Sequence, residues 1–226
     1  MVTALKTSIN ILLVFLFAAC TSVPDERMTP YVDFPETREL TARTLSLDSA
    51  LFRYPYRVRV QDDKAVVLDL HGTEYFFHAF HYPGFHYLSS FGKRGDAPEE
   101  MLSAENLRWN GNFLWTLDSN KSELTRLGFA SSGDSLLRLE AVSLDEELLR
   151  ALDFVQYDDS TFIIPDYSGD SRFCLVSRQG KLLHKIGTIP TTDEDALKNA
   201  HPALAQAWRS FIDYNPRNGV LAAVTQ

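Results

Sequence analysis

The chain has 226 residues, of which 45% are hydrophobic and 12% aromatic. This length and composition allow a sizeable core in one domain or in two small ones. Acidic residues outnumber basic residues by 30 to 22, which gives a formal net charge of −8. Because nucleic-acid binding needs a basic face that neutralises phosphates, and no basic cluster occurs, we expect no nucleic-acid partner.

The first twenty residues are similar to the leader of a bacterial lipoprotein. Lys6 provides a positive charge, and the apolar run over residues 11–19 is too short for a stable membrane span. Two alanines directly precede Cys20, as in the lipobox whose cysteine takes a lipid, although Phe17 stands where leucine is commoner. We predict a signal peptide over residues 1–19 and lipidation of Cys20. An ordinary cleaved signal peptide and an uncleaved anchor are the alternatives.

Residues 20–50 are predicted to form a lipidated tether and the lead-in to the folded domain. The tether begins with polar residues and two prolines, a composition that keeps a chain extended. Cys174 is the only other cysteine, so no disulfide framework is available, and its apolar neighbours predict a buried side chain. This organisation predicts a protein of the bacterial cell envelope, held by its N-terminal lipid, with the outer membrane as the expected location.

The remaining sequence repeats itself at intervals of about 48 residues. Each unit has an alternating apolar run, a short polar turn, a second β-rich run and then an aspartate, with a period typical of four-stranded propeller blades. Three units begin with the segments Tyr56–Leu70, Asn106–Ser119 and Leu152–Ser168, and a fourth begins at Ser210. The predicted turns are Asp62-Asp63, Asn110-Gly111, Asp158-Asp159 and Asn218-Gly219.

A second hairpin follows in each of the first three units, with predicted turns at Pro83-Gly84, Ser132–Asp134 and Gln179-Gly180. Four short antiparallel strands form a sheet that buries its faces only by stacking on neighbouring sheets. We therefore predict an all-β fold over residues 51–226, a β-propeller of four-stranded antiparallel blades of which about three and a half are present. Residues 192–210 predict a helical insertion that Pro202 divides, with Thr192 and Asp195 capping its start.

The stretch FGKRGDAPEE, at the end of the first unit, is similar to a blade-end pattern of NHL-type propellers. Gly92, Gly95, Pro98 and Glu100 match its G-x-x-G-x-x-P-x-E spacing. The chain thereby resembles the TolB-like six-bladed propeller lipoproteins of the Bacteroidetes. The resemblance implies six blades, so we expect a C-terminally truncated sequence, with an arc closed by a second copy as the alternative. Because glycine and aspartate are typical turn residues, Arg94-Gly95-Asp96 is predicted to be a turn rather than an adhesion motif.

The repeated aspartates Asp69, Asp118 and Asp166 are the candidate functional carboxylates. One interpretation is a ring of carboxylates around a central channel. The interpretation that we favour is structural. An aspartate at a strand end accepts hydrogen bonds from backbone N–H groups of the following turn, and a repeat keeps it in every blade for that purpose.

Histidines cluster in the first unit, at positions 71, 78, 81 and 86. Side chains alternate between the two faces of a strand, so His78 and His81 lie on opposite faces and the four do not converge. The sequence also contains no P-loop, dinucleotide fingerprint or nucleophile elbow. We predict no metal site, no cofactor and no catalytic residue.

These observations predict a membrane-anchored, non-catalytic binding or scaffold propeller whose ligand is a protein or a carbohydrate. Two alternatives stay open. Propellers also carry hydrolases and lyases whose acids meet at the central channel, and fold alone does not decide between binding and catalysis. The other alternative is a non-functional fragment of a longer propeller protein.

Overall fold

The computed structural model describes residues 36–45 and 52–225 of the chain. The chain separates into two compact units, Met1–Thr44 and Leu45–Gln226. In the first unit, residues 36–44 are exposed and have no regular secondary structure. The signal peptide and the lipidation site Cys20 lie outside the described residues, so both stay predictions.

The described part of the second unit contains fourteen strands and two short helices. The first sheet consists of β1 (Pro55–Gln61), β2 (Lys64–Asp69), β3 (Tyr75–His81) and β4 (His86–Lys93). The second consists of β5 (Ala104–Asn110), β6 (Phe113–Asp118), β7 (Glu123–Phe129) and β8 (Leu136–Ser143). The third consists of β9 (Val155–Gln156), β10 (Thr161–Pro165), β11 (Phe173–Ser177) and β12 (Leu182–Ile186). A separate hairpin consists of β13 (Ser210–Asn215) and β14 (Val220–Thr225).

Each of the three larger sheets is an antiparallel meander in which every strand pairs with the next strand along the chain. Alternating apolar residues form these strands because a pleated strand sends successive side chains to opposite faces. The tight turns between the strands keep the connections local. The predicted fold class, an all-β partial propeller of four-stranded antiparallel blades, is confirmed.

The first hairpins of the blades follow the predicted turns, with differences in detail. Asp62-Asp63 connects β1 to β2 as predicted, and Asp62 has the positive φ, 51°, that such a turn needs. In the second blade the turn is Gly111-Asn112, one residue later than predicted, because Asn110 is still paired with the next strand. In the last hairpin the strands are separated by four residues, Pro216–Gly219, rather than by two.

Apolar side chains from neighbouring sheets hold the blades together. The core between the first and second blades includes Val66, Leu68, Phe77, Leu107 and Leu114. The core between the second and third blades includes Trp115, Leu117, Phe154, Phe162 and Ile164. Val155, Ile163 and Ile212 join the third blade to the last hairpin. Burying one large apolar side chain contributes roughly 1.5–3 kcal/mol, so the stacking of the blades is the main source of stability.

The helical insertion lies between the third blade and the last hairpin. It consists of α1 (Glu194–Asn199) and α2 (His201–Ala207), and Pro202 stands in the first turn of α2, as expected. The capping residue is Asp193 rather than Thr192, because the Asp193 carboxylate accepts hydrogen bonds from the backbone N–H groups of Asp195 and Ala196. Neither helix in the described ranges is long and apolar enough to cross a bilayer.

Candidate functional site between the innermost strands

Side chains from the first strand of every blade line one cavity of about 500 Å³. The strands are β1, β5, β9 and β13, and we call this space the inner-strand cavity. The Arg57 guanidinium on β1 lies 5.8 Å from the centre of the Phe211 ring on β13, which brings the first blade next to the last hairpin. The volume of the cavity lies within the usual range for small-molecule pockets, about 300–1,000 Å³.

Strand pairing identifies one equivalent position on the first strand of each unit. The residue at this position pairs with the third residue of the next strand along the chain, and the residues concerned lie at the same level of the cavity. They are Arg59, Arg108, Val155 and Asp213. Because the position is occupied by a charged residue in three of the four units, the cavity has a polar wall that an ordinary apolar propeller core does not need.

A buried carboxylate, Asp153, anchors this wall. Its side chain is fully buried and accepts hydrogen bonds from the Arg108 guanidinium at 3.0 and 3.3 Å and from the Ile212 backbone N–H at 2.9 Å. The Asn106 side-chain amide also donates to it. Arg108 in turn donates to the exposed carboxylate of Asp213 at 2.8 Å. A buried ion pair needs such hydrogen bonds to offset the cost of desolvation, so this network fixes the position of Arg108.

Several polar atoms of the cavity wall remain without a hydrogen-bond partner among the described residues. Three are donors, the Nε groups of Arg59 and Arg108 and the indole Nε1 of Trp109. One is an acceptor, the Oε1 atom of Gln156. Buried polar atoms in proteins are paired in the large majority of cases, so each such atom calls for an explanation. All four atoms are inaccessible to water, so they lie behind the surface of the cavity and not on it.

Charged groups of both signs surround Arg59. Burial lowers the pKa of Arg59, and the neighbouring guanidiniums of Arg108 and Arg57 lower it further, while the carboxylates of Asp213 and Asp153 act in the opposite direction. The described residues that line the cavity include two arginines, Arg59 and Arg108, and three aspartates, Asp158, Asp159 and Asp213. The wall therefore has no excess of positive charge.

Aromatic rings form the apolar part of the cavity wall. Trp109 stacks on Phe129 of the same blade, with ring centres 6.2 Å apart and an angle of 17° between the planes. Tyr157 and Tyr214 meet from the third blade and the last hairpin at 5.2 Å. Trp109, Tyr157 and Tyr214 all line the cavity. The cavity thus combines guanidinium groups, carboxylates and aromatic rings.

The repeated aspartates lie elsewhere, and none of the three is among the described residues that line the cavity. Asp69 and Asp118 end the second strands of their blades, and Asp166 directly follows the strand β10. Six residue steps of about 3.3 Å separate Asp69 from Asp63 in the hairpin turn at the cavity end of its strand. The structure therefore does not bring these carboxylates together with Arg59 or Arg108.

All three carboxylates accept hydrogen bonds from backbone N–H groups. Those of Asp118 and Asp166 bind the turns that follow them, the pattern expected from the sequence. Asp118 also binds the N–H groups of Leu102 and Ser103, just before β5. Among the described residues, the Asp69 carboxylate accepts from the corresponding segment before β1, at Arg53 and Tyr54, and not from the turn that follows it. In the last hairpin the equivalent position is occupied by Thr225.

The stretch FGKRGDAPEE connects β4 to β5. Gly92 has φ 64°, and a side chain there would lie 2.6 Å from the Phe77 ring, so glycine is required. The Glu100 carboxylate binds Lys93 at 2.7 Å and accepts the Ala97 N–H at 3.2 Å, while the Pro98 carbonyl accepts from Arg138. These contacts fold the stretch into a compact connection between blades.

The Arg94-Gly95-Asp96 triplet lies inside this connection. Its arginine is directed into the first blade, where the guanidinium lies 4.3 Å from the centre of the Phe76 ring and donates to the Gly72 carbonyl at 2.9 Å. The backbone of Arg94 pairs with Met101 across the turn. An arginine engaged in this way serves the fold of the blade.

The histidines of the first blade do not share a site. His78 is buried and bonds to the Ser90 hydroxyl at 2.8 Å, whereas His81 lies near the exposed carboxylate of Asp63 at 3.4 Å. In the part of the chain that the structure describes, no group of three or more His, Cys, Asp or Glu side chains is arranged to hold a metal ion.

Sequence patterns alone did not identify the polar wall of the cavity. Arg59 and Arg108 lie 49 residues apart in the sequence, and Arg108 and Asp213 lie 105 residues apart. Relative to the first residue of the predicted turns, the three residues lie three, two and five positions earlier, so those turns do not align them. The repeat does not identify Asp153 either, because the groups of Asn106, Arg108 and Ile212 that bind it belong to other units.

Four-stranded antiparallel blades that stack around a cavity lined by their innermost strands define a β-propeller. The sequence matches the family described as TolB-like 6-blade propeller-like over residues 33–226. The chain belongs to this family, as the FGKRGDAPEE stretch indicated. No curated protein matches the sequence.

Two solved structures illustrate the similarity. A candidate exported protein from Bacteroides fragilis NCTC 9343 aligns with a TM-score of 0.52 and 14% identity over 66% of this chain and 42% of that one. A functionally unknown protein from Desulfotomaculum acetoxidans DSM 771 aligns with a TM-score of 0.48 and 13% identity over 75% of this chain and 48% of that one. The chain thus spans less than half the length of either structure. At this identity, the first alignment supports the fold and nothing finer.

Proposed function

We propose that the chain is a non-catalytic binding module of the bacterial cell envelope, held at a membrane by a lipid on Cys20. Its binding site is the inner-strand cavity. The observation that carries the proposal is a cavity of small-molecule size whose wall combines the charged residues Arg59, Arg108 and Asp213 with aromatic rings. Pockets of this size that combine apolar rings with a few polar groups are typical ligand sites.

The state of the carboxylates supports binding over catalysis. A general acid or base needs a carboxyl group that is free to exchange a proton with the substrate. Of the two carboxylates that bind Arg108, the buried Asp153 already accepts from this guanidinium, from a side-chain amide and from backbone N–H groups, and Asp213 accepts from the same guanidinium. The repeated aspartates are likewise engaged by backbone N–H groups.

The envelope location is supported by the leader pattern that ends at Cys20. The test is metabolic labelling with a palmitate analogue, followed by membrane fractionation, in a bacterial host. We expect Cys20→Ala to abolish the label and to release the protein from the membrane fraction. Cys174→Ala is the matched control and keeps the label. A label that persists in Cys20→Ala contradicts the anchor.

The binding site is tested by thermal shift of the full chain, purified in detergent, against a panel of neutral and acidic sugars, amino acids, nucleotides and peptidoglycan fragments. We expect at least one compound to raise the Tm of the wild type and to lose this effect in Arg59→Met, which keeps the apolar stem of the side chain. Arg53→Met, at an exposed arginine, is the control. No stabilising compound, an equal shift in Arg59→Met, or hydrolytic or lyase turnover of a panel member contradicts the proposal.

A further inference from the structure

We propose that copies of this chain associate head to tail, so that the first blade of one copy packs against the last hairpin of another. The head face consists of Val58 and Val60 on β1, and the tail face consists of Ala222 and Val224 on β14. All four residues are apolar and exposed. The proposal concerns the contact between copies and makes no assumption about a ligand in the inner-strand cavity.

The junctions inside the chain show how a head face is covered. Leu107, Phe154 and Ile212 lie on the first strands of the second blade, the third blade and the last hairpin, one residue before the equivalent position at the level of the cavity. All three are buried, each in the core that its unit shares with the preceding blade. Val58 has the same position in the first blade, and it is 49% exposed.

The tail face has the same relation to the junctions inside the chain. The third residue of the second strand is buried against the following unit in all three blades, and these residues are Val66, Trp115 and Ile163. In the last hairpin this position is Ala222, which is exposed. Two residues further along the strand, Leu68 and Leu117 are fully buried, whereas Val224 is 68% exposed.

Each junction inside the chain therefore joins a tail-type face of one unit to a head-type face of the next. In the described ranges, one face of each type stays exposed, at opposite ends of the series of blades. A second copy supplies the missing half of both junctions. Two different faces then meet, which is a heterologous contact and not a contact between two identical faces.

The charges on the two faces permit such a contact. β14 contains no charged residue, so its burial desolvates no charge. Asp213, which pairs with Ala222 across the hairpin, already binds Arg108 at 2.8 Å. On the first blade, the cross-strand neighbours of Val58 are the buried Val67 and, one strand further, His78. An apolar centre with few charges is typical of protein–protein interfaces.

The test is sedimentation equilibrium of the full chain in density-matched detergent, at a detergent excess that leaves one chain per micelle. We expect the average mass of the wild type to exceed that of one chain and to rise with protein concentration. Val58→Asp and Val224→Asp each remove one of the two faces. Each variant alone is expected to associate about a hundredfold more weakly or less, because a carboxylate without a partner is buried in the contact.

A mixture of the two variants distinguishes a head-to-tail contact from other kinds of association. Val58→Asp keeps its tail face, and Val224→Asp keeps its head face. An equimolar mixture is therefore expected to form a dimer through one intact junction, although neither variant does so alone. Leu139→Asp, at an exposed leucine on β8 outside both faces, is the control and is expected to associate as the wild type does. The Tm of each variant shows that it is folded.

Four results overturn the proposal. They are a wild type with the mass of one chain at all concentrations, association that persists in either variant, a mixture that does not form a dimer, and loss of association in Leu139→Asp. If only Val58→Asp or only Val224→Asp loses association, identical faces meet and the head-to-tail contact is wrong.

Discussion

At the scale of single residues, the contrast between Asp153 and Asp213 is informative, because both carboxylates bind the same arginine. Asp153 is completely buried, whereas the side chain of Asp213 is 71% exposed. Removing one partner of a buried ion pair leaves the other charge without compensation in a low-dielectric environment. In an exposed pair, water takes over the role of the lost partner.

We therefore predict that Asp153→Asn destabilises the fold by about 3 kcal/mol. The matched control, Asp213→Asn, is expected to cost about 1 kcal/mol or less. Urea unfolding of the two variants and the wild type measures the difference in free energy. Similar changes in the free energy of unfolding for the two variants would contradict the role of burial at Asp153.

At the scale of elements, the helical insertion depends on local contacts at its start. The Asp193 carboxylate binds two backbone N–H groups of α1 at 3.0 Å, while Thr192, the residue expected from the sequence, lies one position too early. We predict that Asp193→Ala destabilises α1 by about 1 kcal/mol and that Thr192→Ala has little effect. The hydrogen-exchange rates of the Asp195 and Ala196 amides measure the local stability of α1 in each variant. Faster exchange in Thr192→Ala than in Asp193→Ala would contradict the assignment of the cap.

A second contact joins α2 to the third blade. The Asp170 carboxylate binds Lys185 at 2.8 Å and His201 at 2.6 Å. The hydrogen bond from Lys185 is the largest cause that lowers the pKa of Asp170, from 3.8 to about 2, with Ser168 and His201 adding to it. Because the pKa is lower in the folded state, this contact stabilises the protein above about pH 4 and is lost as the pH falls towards 2.

We predict that the Tm difference between the wild type and Asp170→Asn is largest above pH 4 and shrinks as the pH falls to 2. Thermal unfolding across pH 2 to 6 measures it. Glu146→Gln, at an exposed carboxylate, is the control and is expected to follow the wild type throughout. A difference that stays constant over this range would mean that Asp170 is not the group responsible.

The hairpins could be predicted because their signals are local, whereas the candidate site could not. Asp62-Asp63 and Gly111 mark turns within a few residues of the strands that they join. Even so, the turn of the second blade was misplaced by one residue, since register also depends on pairing between strands. Arg108 and Asp153 meet only after two blades stack, and no local pattern records a contact across 45 residues.

At the scale of the whole molecule, the protein is a series of sheets whose cohesion lies in the cores between them. Cys174 belongs to the core between the second and third blades and is almost completely buried. Burial raises the pKa of its thiol to about 12. Since the thiolate is the reactive form, this cysteine reports directly on the opening of that core.

We predict that iodoacetamide does not modify Cys174 in the folded protein at pH 8 and modifies it readily in urea. Peptide mapping by mass spectrometry follows the reaction at this position. Leu117→Ala, which weakens the same core, is expected to accelerate labelling, whereas Leu183→Ala, at an exposed leucine of the third blade, is not. Rapid labelling of the folded wild type would show that the blades separate easily.

The aspartates that end the second strands have a consequence for the history of the fold. Asp69 and Asp118 each bind the segment that leads into the first strand of their own blade, so these contacts begin and end within one repeat. A gene duplication that copies a whole repeat therefore copies the complete set of these bonds and breaks none in the neighbouring blade. These hydrogen bonds therefore mark the boundaries of the segment that such a duplication copies.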